Sequence, residues 1–170
     1  AETPGPVRRP LHNIPAPLTM LLGRERELGW LREVLLDPAV RLITLVGPGG
    51  AGKPRLAQAV GAEVATAFSH GAYFVSLASV SAETGVVTAL LDSLQVTGPR
   101  QFQPFEQLQE FLRDRELLLV LDNFEHMLGQ VILLQQLLPT APQVKLLVTS
   151  RARLHLTAEH AIGIEGLPVP

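Results

Sequence analysis

A short apolar run leads directly into a glycine-rich turn, and this junction limits the possible folds more than any other part of the sequence. Residues 40–46 (VRLITLV) are aliphatic and β-branched, and residues 47–53 (GPGGAGK) follow without a break. Residues 54–68 then carry apolar side chains at helical spacing. The sequence therefore predicts a strand, a tight loop and a helix in immediate succession, which is one unit of an α/β fold.

The same alternation of apolar runs and helical patterns continues along the chain. Residues 117–121 (LLLVL) are apolar throughout, which is typical of a parallel strand covered on both faces. Further strands are predicted at 72–78, 116–122, 144–151 and 160–167, and further helices at 24–36, 82–95, 105–113 and 131–138. Strands and helices alternating in this way predict a parallel sheet with right-handed crossovers.

Length and composition indicate one ordinary globular domain. The chain has 170 residues, of which 46% are hydrophobic and 18% charged. Five prolines in the first seventeen residues predict an extended lead-in or linker at 1–20, before a domain at 21–170. A net charge of −2 gives no electrostatic reason to expect direct binding of nucleic acid.

Other classes of protein are disfavoured by what the sequence lacks. There is no cysteine, which excludes a disulfide framework and thiolate metal sites. The sequence contains no signal-peptide pattern and no apolar run near the ~18 residues of a membrane span, so we expect no membrane association and a cytoplasmic location. Only two residues are lysines, and one of them, Lys53, follows the glycine-rich loop.

The glycine-rich loop satisfies two binding patterns that later residues separate. Gly47, Gly49 and Gly52 fit the G-x-G-x-x-G of dinucleotide-binding folds, but that fold needs an acidic residue at the end of the second strand. Residues 73–78 (YFVSLA) contain none. A phosphate-binding loop instead needs a lysine after the last glycine and an aspartate at the tip of another apolar strand, and Lys53 and Asp122 supply both. The sequence favours the phosphate-binding loop.

Two interpretations of Asp122 remain open at this stage. Its place at the end of an apolar strand puts it at the carboxyl edge of the sheet, where it could orient Mg²⁺. Alternatively, Asp122 and Glu125 could form a capping box at the start of the next helical turn. The next residue is Asn123, whose amide can orient water but cannot take its proton.

Four segments in order resemble a known family. They are LLGRERELGWL (21–31), LVGPGGAGK (45–53), LLLVLDNFEH (117–126) and LLVTSRARL (146–154). Together they resemble the nucleotide-binding domain of the signal-transduction ATPases with numerous domains (STAND), of the NB-ARC-like group found in large bacterial transcriptional regulators. The resemblance covers about residues 11–168. It implies a three-layer α/β/α sandwich around a mainly parallel five-stranded sheet, with the aspartate strand beside the loop strand.

The resemblance also implies cofactors and partners. The cofactors are ATP or ADP with Mg²⁺. The partners are the regulatory and output domains of a longer protein and a nucleotide-dependent homo-oligomer, while the family's helical and winged-helix modules lie outside this chain.

Roles for individual residues follow from the same resemblance. Residues implied to contact the nucleotide are Leu22, Gly23, Arg24, Pro48, Gly49, Gly50, Ala51, Gly52, Lys53, Pro54 and Arg55. Asp122 is implied to orient Mg²⁺, Asn123 stands where relatives often have a second acid, and Glu125 is a substitute base. Arg151 is implied to detect a γ-phosphate. Two alternatives stay open: residues 22–24 simply begin a helix, and Arg151 is a solvated loop arginine.

Pro54 departs from the phosphate-loop pattern, which has Ser or Thr at this position. Proline is tolerated at the start of a helix, so we expect the fold to survive. It has neither the hydroxyl that binds Mg²⁺ nor a backbone N–H for phosphate, and it biases Lys53 away from helical backbone angles. The sequence therefore predicts retained nucleotide binding with slow or absent hydrolysis.

Three functions fit these observations to different degrees. The leading hypothesis is a regulatory switch that exchanges ADP for ATP. The second is a nucleotide-binding or scaffold domain that does not hydrolyse, which Pro54 and Asn123 favour. A dinucleotide-dependent oxidoreductase is disfavoured by the missing ribose-binding acid.

Overall fold

A five-stranded parallel sheet lies at the centre of the computed structural model, which describes residues 25–49, 52–81, 84–98 and 102–164. The strands are β1 (Leu42–Val46), β2 (Ala72–Ser76), β3 (Leu117–Asp122), β4 (Val144–Ser150) and β5 (Glu159–Gly163). The helices are α1 (Glu25–Leu36), α2 (Lys53–Val64), α3 (Gly85–Leu94), α4 (Pro104–Leu112) and α5 (Val131–Leu137). A 3₁₀ turn at Phe124–Gln130 connects β3 to α5. The predicted lead-in at 1–20 and the residues Leu22, Gly23, Arg24, Gly50 and Ala51 lie outside the described residues.

The order of the strands across the sheet is β2-β3-β4-β1-β5, and each neighbouring pair is parallel. The expectation that the aspartate strand lies beside the loop strand is therefore wrong, because β4 separates β3 from β1. All seven residues of β4 are buried, which suits a strand with neighbours on both sides and helices on both faces.

Helices cover both faces of the sheet, as the predicted three-layer sandwich requires. Alternate residues of β3 point to opposite faces: Leu119 and Leu121 pack in the core with α3, α4 and α5, and Leu118 and Val120 pack with α1 and α2. Because both faces are covered, residues 117–121 of β3 and 146–148 of β4 are continuous apolar runs rather than alternating ones.

Lys145 links the amino-terminal edge of the sheet to the end of α1. It belongs to β4, is buried, and its Nζ donates to the carbonyl oxygens of Leu35 at 2.5 Å and Asp37 at 2.8 Å. These carbonyls lie at the C-terminus of α1, where the last carbonyl groups of a helix have no intrahelical donors. A cation at this end also interacts favourably with the negative end of the helix dipole. Burial lowers the pKa of this ammonium group.

Replacing Lys145 with methionine tests this link. We expect Lys145→Met to lower the free energy of unfolding by about 1–3 kcal/mol, because the Leu35 carbonyl would stay buried without its donor. Urea denaturation measures the effect. Arg113→Met is the matched control, since Arg113 is an exposed cation in a surface ion pair with Glu110, and it should change the stability by less than about 0.5 kcal/mol. Equal effects of the two substitutions would contradict the structural role of Lys145.

Candidate functional site

The glycine-rich loop connects the end of β1 to the beginning of α2, as the sequence predicts. The Gly47 N–H donates to the carbonyl of Ser150 at 3.3 Å, which ties the loop to the end of β4. Gly52 precedes α2 with φ 86° and ψ 15°, a left-handed conformation that glycine adopts without strain. The first N–H groups of α2 therefore open onto the loop, and an array of this kind attracts anions.

Lys53 is the first residue of α2, and its side chain folds back over the loop. Its Nζ donates to the carbonyls of Gly47 at 2.5 Å and Pro48 at 3.0 Å, and the residue is only 6% exposed. Burial lowers the pKa of Lys53, and the nearby carboxylates of Glu125 and Asp122 oppose this shift. A positive charge is thus held at the mouth of the loop.

The position of Pro54 agrees with one expectation and corrects another. Pro54 is exposed and is the second residue of α2, within the first turn, where helix N–H groups lack intrahelical partners. The fold accommodates it, as predicted. The expected bias of Lys53 away from helical geometry is wrong, because Lys53 is already helical. The contacts of the following helix therefore outweigh the preference of a residue before proline for extended backbone angles. What Pro54 removes is confined to the hydroxyl and the backbone N–H that a serine or threonine would supply.

Asp122 lies at the carboxyl end of β3, half-buried beside β4. Its Oδ1 accepts a hydrogen bond from the Thr149 hydroxyl at 2.5 Å. Burial raises the pKa of Asp122, and the hydrogen bond from Thr149 opposes this shift. The 3₁₀ turn begins after Asn123, without a side-chain cap, and the carboxylate of Glu125 binds Arg151 instead. The alternative capping box of Asp122 and Glu125 therefore does not form.

Thr149 is a site residue that the sequence analysis missed. It is 2% exposed, its hydroxyl donates to Asp122, and the same oxygen accepts the Asn123 N–H at 2.9 Å. One hydroxyl therefore fixes both the acid and the residue after it. The signal was available, because a hydroxyl at the carboxyl end of a fully buried strand needs hydrogen-bond partners.

Asn123 has a left-handed backbone conformation, with φ 70° and ψ 44°. Glycine, asparagine and aspartate accept this conformation more readily than other residues, for which the clash of the Cβ costs roughly 1–2 kcal/mol. Of the acids that could fill this position in relatives, the geometry disfavours glutamate more than aspartate.

The backbone at Asn123 predicts an inverted order of stability. We expect Asn123→Gly to be more stable than Asn123→Ala by about 0.5–1 kcal/mol, although glycine loses more chain entropy on folding. Denaturant unfolding measures both. At the exposed Glu33 in α1, the same pair of substitutions should follow the opposite order, with alanine more stable by ~1 kcal/mol. Alanine proving better at both positions would exclude a conformational requirement at Asn123.

Arg151 and Glu125 meet where the turns after β3 and β4 come together. The backbone N–H of Arg151 donates to Glu125 Oε1 at 3.2 Å. The guanidinium group lies over the loop, since a Cβ built on Gly49 would come within 2.9 Å of Arg151 Nη2. A side chain at position 49 would therefore require the guanidinium group of Arg151 to move away from the loop.

The structure brings four predicted residues into one site, namely Lys53, Asp122, Glu125 and Arg151. Two cations and the α2 N-terminus suit a polyphosphate, and the two carboxylates suit a divalent cation bound with it. No group of three or more His, Cys, Asp or Glu residues among the described ranges could hold a metal ion by itself.

The other sequence-predicted contacts lie on the rim or outside the described part. Pro48 and Gly49 are exposed within the loop, and Arg55 is exposed in the first turn of α2. The adenine contacts implied for residues 22–24 fall outside the described residues. The longest described helices, α1 and α2, have 12 residues each, and none in the described ranges combines the length and hydropathy of a membrane span.

Comparison with known proteins identifies a family and longer relatives. A family model described as an AAA domain matches residues 39–157. An uncharacterised protein of Mycobacterium bovis is 34% identical over 149 residues, which are 87% of this chain and 37% of that protein. A Mycobacterium tuberculosis protein named "Putative HTH-type transcriptional regulator" is 37% identical over 122 residues, covering 70% of this chain and 13% of its own length. The chain thus spans well under half the length of these relatives.

Two solved structures share the fold at low sequence identity. Cdc6p from Pyrobaculum aerophilum has a TM-score of 0.61 at 21% identity, over 81% of this chain and 41% of that one. A STAND protein with a tetratricopeptide repeat sensor from Pyrococcus horikoshii has a TM-score of 0.57 at 18% identity, over 96% of this chain and 25% of that one. Both similarities support the parallel α/β architecture.

Proposed function

Because the chain belongs to the AAA domain family of P-loop NTPases, we propose that it is an adenine-nucleotide-binding domain of the STAND, NB-ARC-like type. One observation carries the proposal: the cations of Lys53 and Arg151 and the N-terminus of α2 converge on the same glycine-rich loop. The loop and α2 hold the phosphates of ATP or ADP, Lys53 neutralises them, and Arg151 reaches the γ-phosphate.

The domain acts as a switch within a longer regulator. The named relatives include an HTH-type regulator and a STAND protein, and this chain spans only a small part of each. A nucleotide shifts a conformational equilibrium only if it makes different contacts in the two states. Arg151 supplies this difference, since a side chain placed on the γ-phosphate distinguishes ATP from ADP. Regulatory and output domains of the longer protein, and a second copy of the domain, are the proposed partners.

Hydrolysis in this domain is slow or absent. Asp122 is the residue that would hold Mg²⁺ beside the phosphates, and the ion supplies charge neutralisation for phosphoryl transfer when bound. Pro54 removes a hydroxyl ligand for that ion, and Asn123 leaves no acid directly after Asp122. The chain therefore retains groups that bind phosphate while it lacks two groups that favour hydrolysis.

A non-hydrolysing nucleotide-binding scaffold is the second candidate, and Pro54 is the observation that favours it. It differs from the switch in having no ATP-dependent change of state. Both candidates require nucleotide binding, whereas an ADP-to-ATP difference in conformation or oligomeric state belongs to the switch alone.

Direct binding measurements test the proposed function. We expect ADP and ATP to bind the purified chain and NAD⁺ not to bind, by isothermal titration calorimetry in EDTA and again with Mg²⁺. Chromatography of the denatured, freshly purified protein should also release bound ADP or ATP. Absence of ADP and ATP binding at millimolar concentration would refute the proposal, and NAD⁺ binding would support the dinucleotide alternative.

A further inference from the structure

The carboxylate of Glu125 joins the two turns that close the site. Glu125 lies in the 3₁₀ turn after β3, and Arg151 follows directly after β4. Glu125 Oε1 accepts the Arg151 backbone N–H at 3.2 Å. The contact thus bridges two segments that are 26 positions apart in the sequence.

The turn that carries Arg151 is held mainly through its backbone. Besides the bond to Glu125, the Ala152 N–H donates to Ser150 Oγ at 3.2 Å. At the other end of the turn, the N–H groups of Leu154 and His155 donate to the two carboxylate oxygens of Glu159, each at 2.8 Å. The Arg151 side chain itself is exposed, so the direction of its guanidinium group depends on where this backbone is fixed.

We propose that Glu125 is a positioning residue that aims Arg151 at the phosphate loop, rather than a base. This inference rests on the proposed function, in which Arg151 contacts the γ-phosphate. The role needs an oxygen that accepts a hydrogen bond, and a glutamine side chain has one. A base needs a carboxylate, so glutamine would abolish that role.

The ratio of ATP affinity to ADP affinity distinguishes a positioning role of Glu125 from a role as a base. A non-hydrolysable ATP analogue and ADP are titrated into the wild type, Glu125→Ala, Glu125→Gln and Arg151→Ala by calorimetry. We expect Glu125→Ala to lower the preference for the ATP analogue by roughly tenfold, as far as Arg151→Ala does, and Glu125→Gln to keep it within about twofold. The double variant Glu125→Ala/Arg151→Ala should show no further loss, because both changes remove one interaction.

Limited proteolysis tests the positioning without nucleotide. Trypsin cleaves after arginine, and Arg151 and Arg153 are both exposed on the turn that Glu125 holds. Cleavage there should be several-fold faster in Glu125→Ala than in the wild type and unchanged in Glu125→Gln. Cleavage after the exposed Arg113, which lies between α4 and β3, should be equal in all variants and confirms that they are folded.

The two experiments distinguish failure of this inference from failure of the proposed function. If Glu125→Ala cleaves like the wild type, or Glu125→Gln cleaves like Glu125→Ala, Glu125 does not position the turn through its acceptor oxygen. If the wild type binds no nucleotide, the proposed function fails, and the cleavage rates still decide whether Glu125 holds Arg151.

Discussion

Replacing Lys53 with alanine is expected to reduce the affinity for ADP by roughly 10- to 100-fold, which corresponds to the loss of charge-assisted hydrogen bonds. In the structure, the ammonium group donates to the Gly47 and Pro48 carbonyls at the mouth of the loop. A bound phosphate would offer this ammonium a charged acceptor in place of the two neutral carbonyls. Calorimetric titration of ADP in EDTA measures the effect without any contribution from Mg²⁺.

Two controls make the Lys53 result specific. Lys53→Met keeps most of the aliphatic chain and removes only the charged group, so it should lose nearly as much affinity as Lys53→Ala. Arg113→Ala removes an exposed cation near the opposite edge of the sheet and should leave the affinity within about twofold. An ADP affinity within twofold of the wild type in both Lys53 variants would show that this lysine does not bind phosphate.

Much of the fold could be predicted because its strands are buried on both faces. Residues 117–121 are an apolar run too short for a core helix, residues 144–148 are apolar except for Lys145, and both segments became central strands. Their neighbours in the sheet could not be predicted in the same way. The apolar pattern gives each strand the same two-sided burial, and it carries no information about whether β3 or β4 lies next to β1.

The residues of the candidate site likewise include some that the sequence identifies and some that only the structure identifies. Lys53 and Asp122 could be identified because each stands at a fixed place relative to a loop or a strand end. Thr149, the left-handed backbone of Asn123 and the bond between Glu125 and Arg151 depend on contacts between β3 and β4. Such contacts arise only once the register of the two strands is set, with Leu121 opposite Val148.

Charges of opposite sign lie together in the site, with Lys53 and Arg151 near Asp122 and Glu125. A polyphosphate would add several negative charges to this arrangement and would lie close to both carboxylates. A divalent cation offsets that repulsion. The affinity of the site for the cation therefore affects polyphosphate binding more here than in a site without carboxylates. Pro54 lies at the position where a hydroxyl would strengthen that hold.

Pro54→Thr is expected to raise Mg²⁺-dependent ATP turnover by roughly 10- to 100-fold, since it restores one metal ligand and one N–H donor. The structure favours this outcome because Lys53 is already helical, so threonine can enter an established first turn. ATP turnover and ADP affinity are measured with Mg²⁺ and with EDTA in the wild type, Pro54→Thr and Pro54→Ala.

Pro54→Ala separates the two groups that proline removes. Alanine restores the N–H but not the hydroxyl, so it should strengthen ADP binding in EDTA as threonine does while leaving the response to Mg²⁺ small. The loss of proline alone costs only about 0.4–1 kcal/mol of stability in either variant, which is too little to unfold the domain and imitate a catalytic effect. Equal Mg²⁺-stimulated turnover in the wild type and Pro54→Thr would show that the hydroxyl does not limit hydrolysis. The limitation would then lie at Asn123, whose amide cannot take a proton from the attacking water.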